Sequence, residues 1–240
     1  MNTSSETRLT STVRIDRKYC GPSNSGNGGY VSGIIAKAAP FSAEVTLRLP
    51  PPLDKDLILV QTPDRVELLD GDQLVGEAVP VEFDLEVPPP PDFEAAVAAS
   101  KKYSGFHEHP FPNCFVCGVN RQPGDGLNIF AGKIAPDQVA APWVPHAGLS
   151  SDGRVVDFEY HWAALDCPGG WTYLDPARLI VLGRMAVKIV EKVKVNEKHI
   201  VFGWNRGVEG RKIYTGTAVF RADGTLCAFA RATWIALKKS

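Results

Sequence analysis

Nowhere in the 240 residues does an apolar run approach the ~20 residues of a membrane span, so no spanning helix is expected. Neither sign of charge is in excess: 26 Lys and Arg stand against 27 Asp and Glu, for a net charge of −1. A nucleic-acid or anionic-membrane partner calls for a basic surplus, and neither partner is expected. Residues 1–8 are polar and hold no apolar signal core, which points to a cytoplasmic protein. Cysteine is sparse and odd in number: Cys20, Cys114, Cys117, Cys167 and Cys227. That argues against a disulfide framework and for reduced thiols. There is no nucleotide-binding loop, no Gly-x-Ser-x-Gly elbow and no His-Glu-x-x-His. No cofactor is implied.

What remains is an ordered globular chain with 44% hydrophobic and 22% charged residues, which excludes extensive disorder. The length fits two units of roughly 100–120 residues each. The clearest break is Pro88-Pro89-Pro90-Pro91, which can join neither a helix nor a central strand. It suggests an N-terminal unit over 1–87, a linker over 88–105 with a short Ala- and Glu-rich helix at 93–102, and a C-terminal unit over 106–240. The first unit reads as a strand (9–16), a helix of small and apolar residues (28–39) ended by Pro40, and then strands only: 43–49, one long strand over 57–69 bent at Pro63, and 74–83 after the Asp70-Gly71-Asp72 turn. The second unit repeats the plan: strands at 127–130 and 138–143, a helix over 162–174, and strands at 179–193, 198–204, 211–221 and 226–237. The hairpins around Asp70-Gly71 and Asp223-Gly224 overlay loosely, as in an internal repeat of about 100 residues. The inferred fold class is α+β, one central helix followed by an antiparallel sheet, used twice.

Three stretches resemble a known family. Asn27-Gly28-Gly29-Tyr30, with Ala36, Ala39 and Arg48-Leu49-Pro50-Pro51-Pro52-Leu53 after it, resembles the N-terminal half of acyl-CoA thioesterase-like double-hotdog proteins. Pro112-Asn113-Cys114-Phe115-Val116-Cys117-Gly118, with Gly124-Asp125-Gly126-Leu127, and the run from Trp162 to Gly170 are similar to the second half of a bacterial branch of that superfamily. The resemblance implies two hotdog units with their sheets side by side and an acyl thioester, such as acyl-CoA, bound between the halves. It also implies backbone N–H groups at one helix start that polarise the thioester carbonyl, and a carboxylate from the other helix that acts as base or nucleophile. Exposed sheet edges would favour further association into a homo-oligomer. The fold also hosts non-catalytic acyl-thioester binders, so two functions compete.

Asp166 is the leading catalytic candidate, because its apolar neighbours would desolvate it and raise its basicity. It reads equally as a helix cap ahead of Pro168. Gly28 and Gly29 are candidate oxyanion donors at a helix start, or else sites of close helix–sheet packing. Asn27 and Tyr30 are candidate substrate contacts. The first helix has the glycine pair and no acid, and the second has the acid, so one composite site is expected. The family's supporting Gln is missing from the last strand, where Thr233 is a partial substitute. His107, His109, Cys114 and Cys117 offer zinc-type ligands, but a single Cys-x-x-Cys is a weak signal, and no metal is assigned. Cys167 reads as a packing residue and His161 as a structural one.

Overall fold

The computed structural model describes residues 8–173 and 178–238. Eleven strands form one antiparallel sheet. In chain order they are β1 (Leu9–Arg14), β2 (Ala43–Leu47), β3 (Asp56–Gln61), β4 (Val66–Asp70), β5 (Gln73–Pro80), β6 (Gly132–Ala135), β7 (Gln138–Trp143), β8 (Ile180–Ile189), β9 (His199–Glu209), β10 (Lys212–Arg221) and β11 (Leu226–Ala236). Among the described residues four α-helices accompany them: α1 (Gly28–Lys37), α2 (Phe93–Ser100), α3 (Phe158–Ala164) and α4 (Cys167–Trp171).

Strand order across the sheet is β1-β3-β4-β5-β2-β8-β11-β10-β9-β7-β6. Read outward from the centre, β2-β5-β4-β3-β1 is answered by β8-β11-β10-β9-β7, so the expected repeat is present as two mirrored sets. The hairpins overlaid in sequence, β4–β5 and β10–β11, are the equivalent pairs. The sets meet at β2 and β8, where Glu44, Val45 and Thr46 face Ala186, Met185 and Arg184. Arg231 donates to Glu44 across the seam at 2.9 Å.

One face of the sheet carries α1, α3 and α4 over a core that includes Val31, Ile35, Trp162, Leu165 and Met185. On the other face Phe202, Trp204, Phe220 and Phe229 are covered by α2 and by Phe83, Leu85 and Val87 ahead of it. The segments flanking the proline run, Phe83 to Val87 before it and Phe93 after it, therefore close a second hydrophobic layer. Fully burying one such side chain contributes about 1.5–3 kcal/mol.

The structure departs from the sequence reading in several places, among them β6, which the sequence reading lacks, and β9, which runs on to Glu209. Residues 57–69 make two strands, because Pro63 lacks a ladder donor and the chain turns there, with Thr62 N–H donating to Arg65 O at 2.8 Å. Residues 127–130 are not a strand of the sheet; Leu127 and Ile129 donate instead to Phe115 O and Val116 O, binding the cysteine loop. The second helix begins at Phe158 and is broken at Leu165-Asp166 into α3 and α4, with Pro168 at the start of α4. Pro168 cannot donate to the carbonyl four residues back, so a continuous helix is not available. Residue 174, the expected end of that helix, lies outside the described residues. Among the described residues no helix is long and apolar enough to cross a membrane.

His161 on α3 is a structural residue with a defined tautomer. Its Nε2 accepts from Val193 N–H at 3.1 Å, so the ring proton is on Nδ1, which donates to Asp157 O at 3.0 Å. Burial pushes its pKa down to about 4 from 6.5. The unfolded chain thus takes the proton first as pH falls, and the stability this neutral histidine supports is lost between pH 6.5 and 4. By urea unfolding, the stability advantage of the wild type over His161→Gln should shrink by about 2 kcal/mol from pH 7 to pH 5. A pH-independent difference would refute the assignment.

Candidate active site

The site lies where α1 crosses α3. Two glycines one turn apart bring the helices together almost backbone to backbone. A Cβ on Gly29 would lie 2.4 Å from Asp166 Cβ and 2.7 Å from Trp162 O, and one on Gly33 would lie 2.8 Å from Glu159 Cα. Lys37 pairs with Glu159 at 3.0 Å at the far end of the same crossing. Helix α1 starts at Asn27, whose Oδ1 accepts from Tyr30 N–H at 2.9 Å.

Asp166 completes that helix start from the other half of the molecule. Its Oδ2 accepts from Gly29 N–H at 2.9 Å and from Asn27 Nδ2 at 2.8 Å, and the residue is 2% exposed. It makes no side-chain cap on its own helix, α4. So the capping anticipated from Pro168 is real in kind but directed at α1. Burial pushes its carboxyl pKa up to about 7, against the two donors that favour the charge. Among the described residues Asp166 Oδ1 is buried with no hydrogen-bond partner.

Behind Asp166 sits a group of three buried thiols. Cys114, Cys117 and Cys167 have sulfurs within 4.8 Å of one another. Asn27 Nδ2 lies 3.8 Å from both Cys114 Sγ and Cys167 Sγ, so one amide touches the carboxylate and two sulfurs. Thiol donation from Cys117 and Cys167 holds the Cys114 thiol well below its ordinary pKa. The three cysteines line a cavity of about 610 Å³ with Phe111, Trp171, Ile180 and Trp234, and Lys102, His107 and Arg178 add basic groups to its wall. A second cavity of about 740 Å³ lies at the C-terminal end of α1, away from Asp166.

Asp166 and the glycine pair meet only in part. Gly29 N–H is engaged by Asp166. Gly28 is half-buried, its N–H makes no hydrogen bond among the described residues, and a Cβ on it would lie 2.9 Å from Leu182 Cβ on β8. Asn27 contacts the acid directly. Tyr30 stacks on Tyr19 with ring centroids 4.0 Å apart, in an aromatic group with Phe115 and Tyr160, and is outside the cavity wall. Thr233 sits between Ala232 and Trp234, which face the helices, so its side chain lies on the opposite face of the sheet and cannot support Asp166. The strand support comes from Thr217 instead. It is buried on β10 and donates to Leu165 O at 2.7 Å, holding the break beside the acid. Sequence reading missed Thr217, for which local pattern carries no signal. It also missed the meeting of Cys167 with Cys114 and Cys117. Three of five cysteines falling in two short Gly- and Pro-bearing motifs was the available hint.

No family model matches the chain, and no curated protein matches it. Solved structures do. One is a tesB protein of Mycobacterium avium subsp. paratuberculosis, at a TM-score of 0.61 and 13% identity over 99% of this chain and 96% of that one. A Lactobacillus plantarum protein provisionally described as an oleoyl thioesterase gives 0.59 and 9% over 98% and 99%. A conserved protein of unknown function with a hot dog fold from Alicyclobacillus acidocaldarius gives 0.59 and 12% over 100% and 96%. At such identities the likeness is one of fold: the chain has a double-hotdog fold.

Gly29→Ala forces a methyl group into Asp166 and the α3 backbone. It should destabilise the protein by about 1–3 kcal/mol or more, measured by urea unfolding, whereas an ordinary helical Gly→Ala change stabilises. A neutral or stabilising result would mean that the helices do not cross this closely.

Proposed function

We propose that the chain hydrolyses an acyl thioester of the acyl-CoA class, with Asp166 as the base. The observation that carries this reading is the orientation of Asp166. One carboxylate oxygen is fixed by Gly29 and Asn27, and the other, Oδ1, has no partner among the described residues, one residue from the cavity wall at Cys167. The apolar part of the cavity suits an acyl or pantetheine chain, and Lys102 and Arg178 suit the phosphates of CoA.

In this mechanism a water donates a hydrogen bond to Asp166 Oδ1. As its oxygen attacks the thioester carbonyl carbon, the proton passes to Asp166. The tetrahedral oxyanion is met by a backbone N–H, a role that falls to Gly28 because Gly29 is engaged. The C–S bond then breaks and the leaving thiolate takes the proton back from Asp166. The products are a carboxylic acid and a free thiol.

A second reading is favoured by a specific observation: Asp166 is only 2% exposed and already saturates Gly29 N–H, as a purely structural cap would. On that reading the protein binds acyl thioesters without cleaving them. Thiol release across a panel of acyl-CoA esters, run beside Asp166→Asn, separates the two. Hydrolysis by Asp166 predicts that the Asn variant loses ~10²–10⁴ in turnover with little change in acyl-CoA affinity. Equal turnover in both proteins would refute the catalytic role. Binding without turnover in the wild type would establish the second reading.

A further inference from the structure

We propose that Cys114, Cys117 and Cys167 hold one thiophilic metal ion of the zinc class, with a fourth coordination position facing the cavity. This goes beyond the thioester reading and does not rest on it. The three sulfurs are buried and mutually close, and Cys114 Sγ and Cys167 Sγ are 3.6 Å apart. Metal–sulfur bonds of about 2.3 Å in a tetrahedron separate the sulfurs by roughly 3.8 Å, so small side-chain rotations would seat an ion.

The chain turns tightly after Cys114. Gly118 N–H donates to Cys114 O at 2.9 Å, and a Cβ on Gly118 would lie 2.5 Å from both Cys114 N and Cys114 O, so this Cys-x-x-Cys-Gly turn closes only with glycine. Asn27 Nδ2 lies 3.8 Å from Cys114 Sγ and 3.8 Å from Cys167 Sγ. An amide donor beside ligand sulfurs is a usual outer support of a thiolate metal site. Packing alone does not call for it, since neutral thiols are weak acceptors.

Sequence spacing suggested the histidines beside the Cys-x-x-Cys as partners. The fold replaces them with Cys167. His109 Nδ1 accepts from Phe111 N–H at 2.9 Å, and its Nε2 lies 3.0 Å from both Tyr103 Oη and Cys117 O, so both ring nitrogens are engaged. Three protein ligands whose fourth direction opens on a cavity leave room for a water or an exogenous thiol. Cys-only donor sets select thiophilic ions over calcium or magnesium.

The test is metal uptake by the reduced full-length chain without substrate, so its outcome is separate from that of the hydrolysis assay. Titration with Co²⁺ should give a sulfur-to-cobalt charge-transfer band with tetrahedral visible bands, saturating at one ion per chain and displaced by Zn²⁺. Cys114→Ser and Cys167→Ser should abolish the charge-transfer band, while Cys227→Ser, on β11, should keep it. No band at saturating Co²⁺, or a band that survives the paired Cys114→Ser and Cys167→Ser changes, would overturn the proposal. If those variants fail to fold, as judged by circular dichroism, zinc-edge X-ray absorption of the wild type decides. A shell of sulfur at about 2.3 Å supports the site, and a shell of only nitrogen and oxygen overturns it.

Discussion

The close crossing of α1 and α3 is the constraint on which the rest of this structure depends. Gly29 and Gly33 remove the side chains that would hold the helices apart. Only then can a carboxylate from the second half reach an amide in the first turn of a helix in the first half. The Asp166–Gly29 hydrogen bond is charge-assisted, buried and sited at the positive end of α1, where three favourable effects coincide. It also ties the two hotdog halves through their helices, in addition to the seam between β2 and β8.

That bond has a cost which shapes the site. Taking a carboxylate out of water penalises its charged form, and here the penalty exceeds what Gly29 and Asn27 return. The same acid that pins the helices therefore holds its proton more readily than a surface aspartate. A structural cap and a general base ask for the same orientation of the group, and differ only in whether Oδ1 meets a water. The break between α3 and α4 serves both. It turns Asp166 away from its own helix and towards α1, while Thr217 fixes the carbonyl that the break exposes.

The cysteine loop is a second consequence of the crossing. Phe115 N–H donates to Cys20 O at 2.7 Å, and Leu127 and Ile129 return to the carbonyls of Phe115 and Val116. The loop is thereby pressed against the start of α1, and Cys114 and Cys117 come to lie beside Cys167 at the start of α4. Asn27 reads both neighbours at once. A single amide thus couples the carboxylate, the sulfurs and the helix start, so a change at any one of them is felt at the other two.

Much of this was legible in the sequence, because much of it is local. Hydrophobic alternation, the Asp70-Gly71 and Asp223-Gly224 turns and the two runs of small apolar residues determined an α+β repeat. The glycine pair on one helix and the acid on the other gave reason to expect contact between the two helices, which the Asp166–Gly29 hydrogen bond makes. Pattern could not place Thr233 on a face, because its neighbours had to be seen packed first. Nor could it show the helix break, which needs Asp166 to have a partner more favourable than its own backbone. The destination of the Asp166 carboxylate, the role of Gly29 as its donor and the meeting of Cys167 with Cys114 were decided by tertiary structure alone. Each joins residues more than fifty positions apart, and such contacts are set by how two helices approach, not by the order of residues along either one.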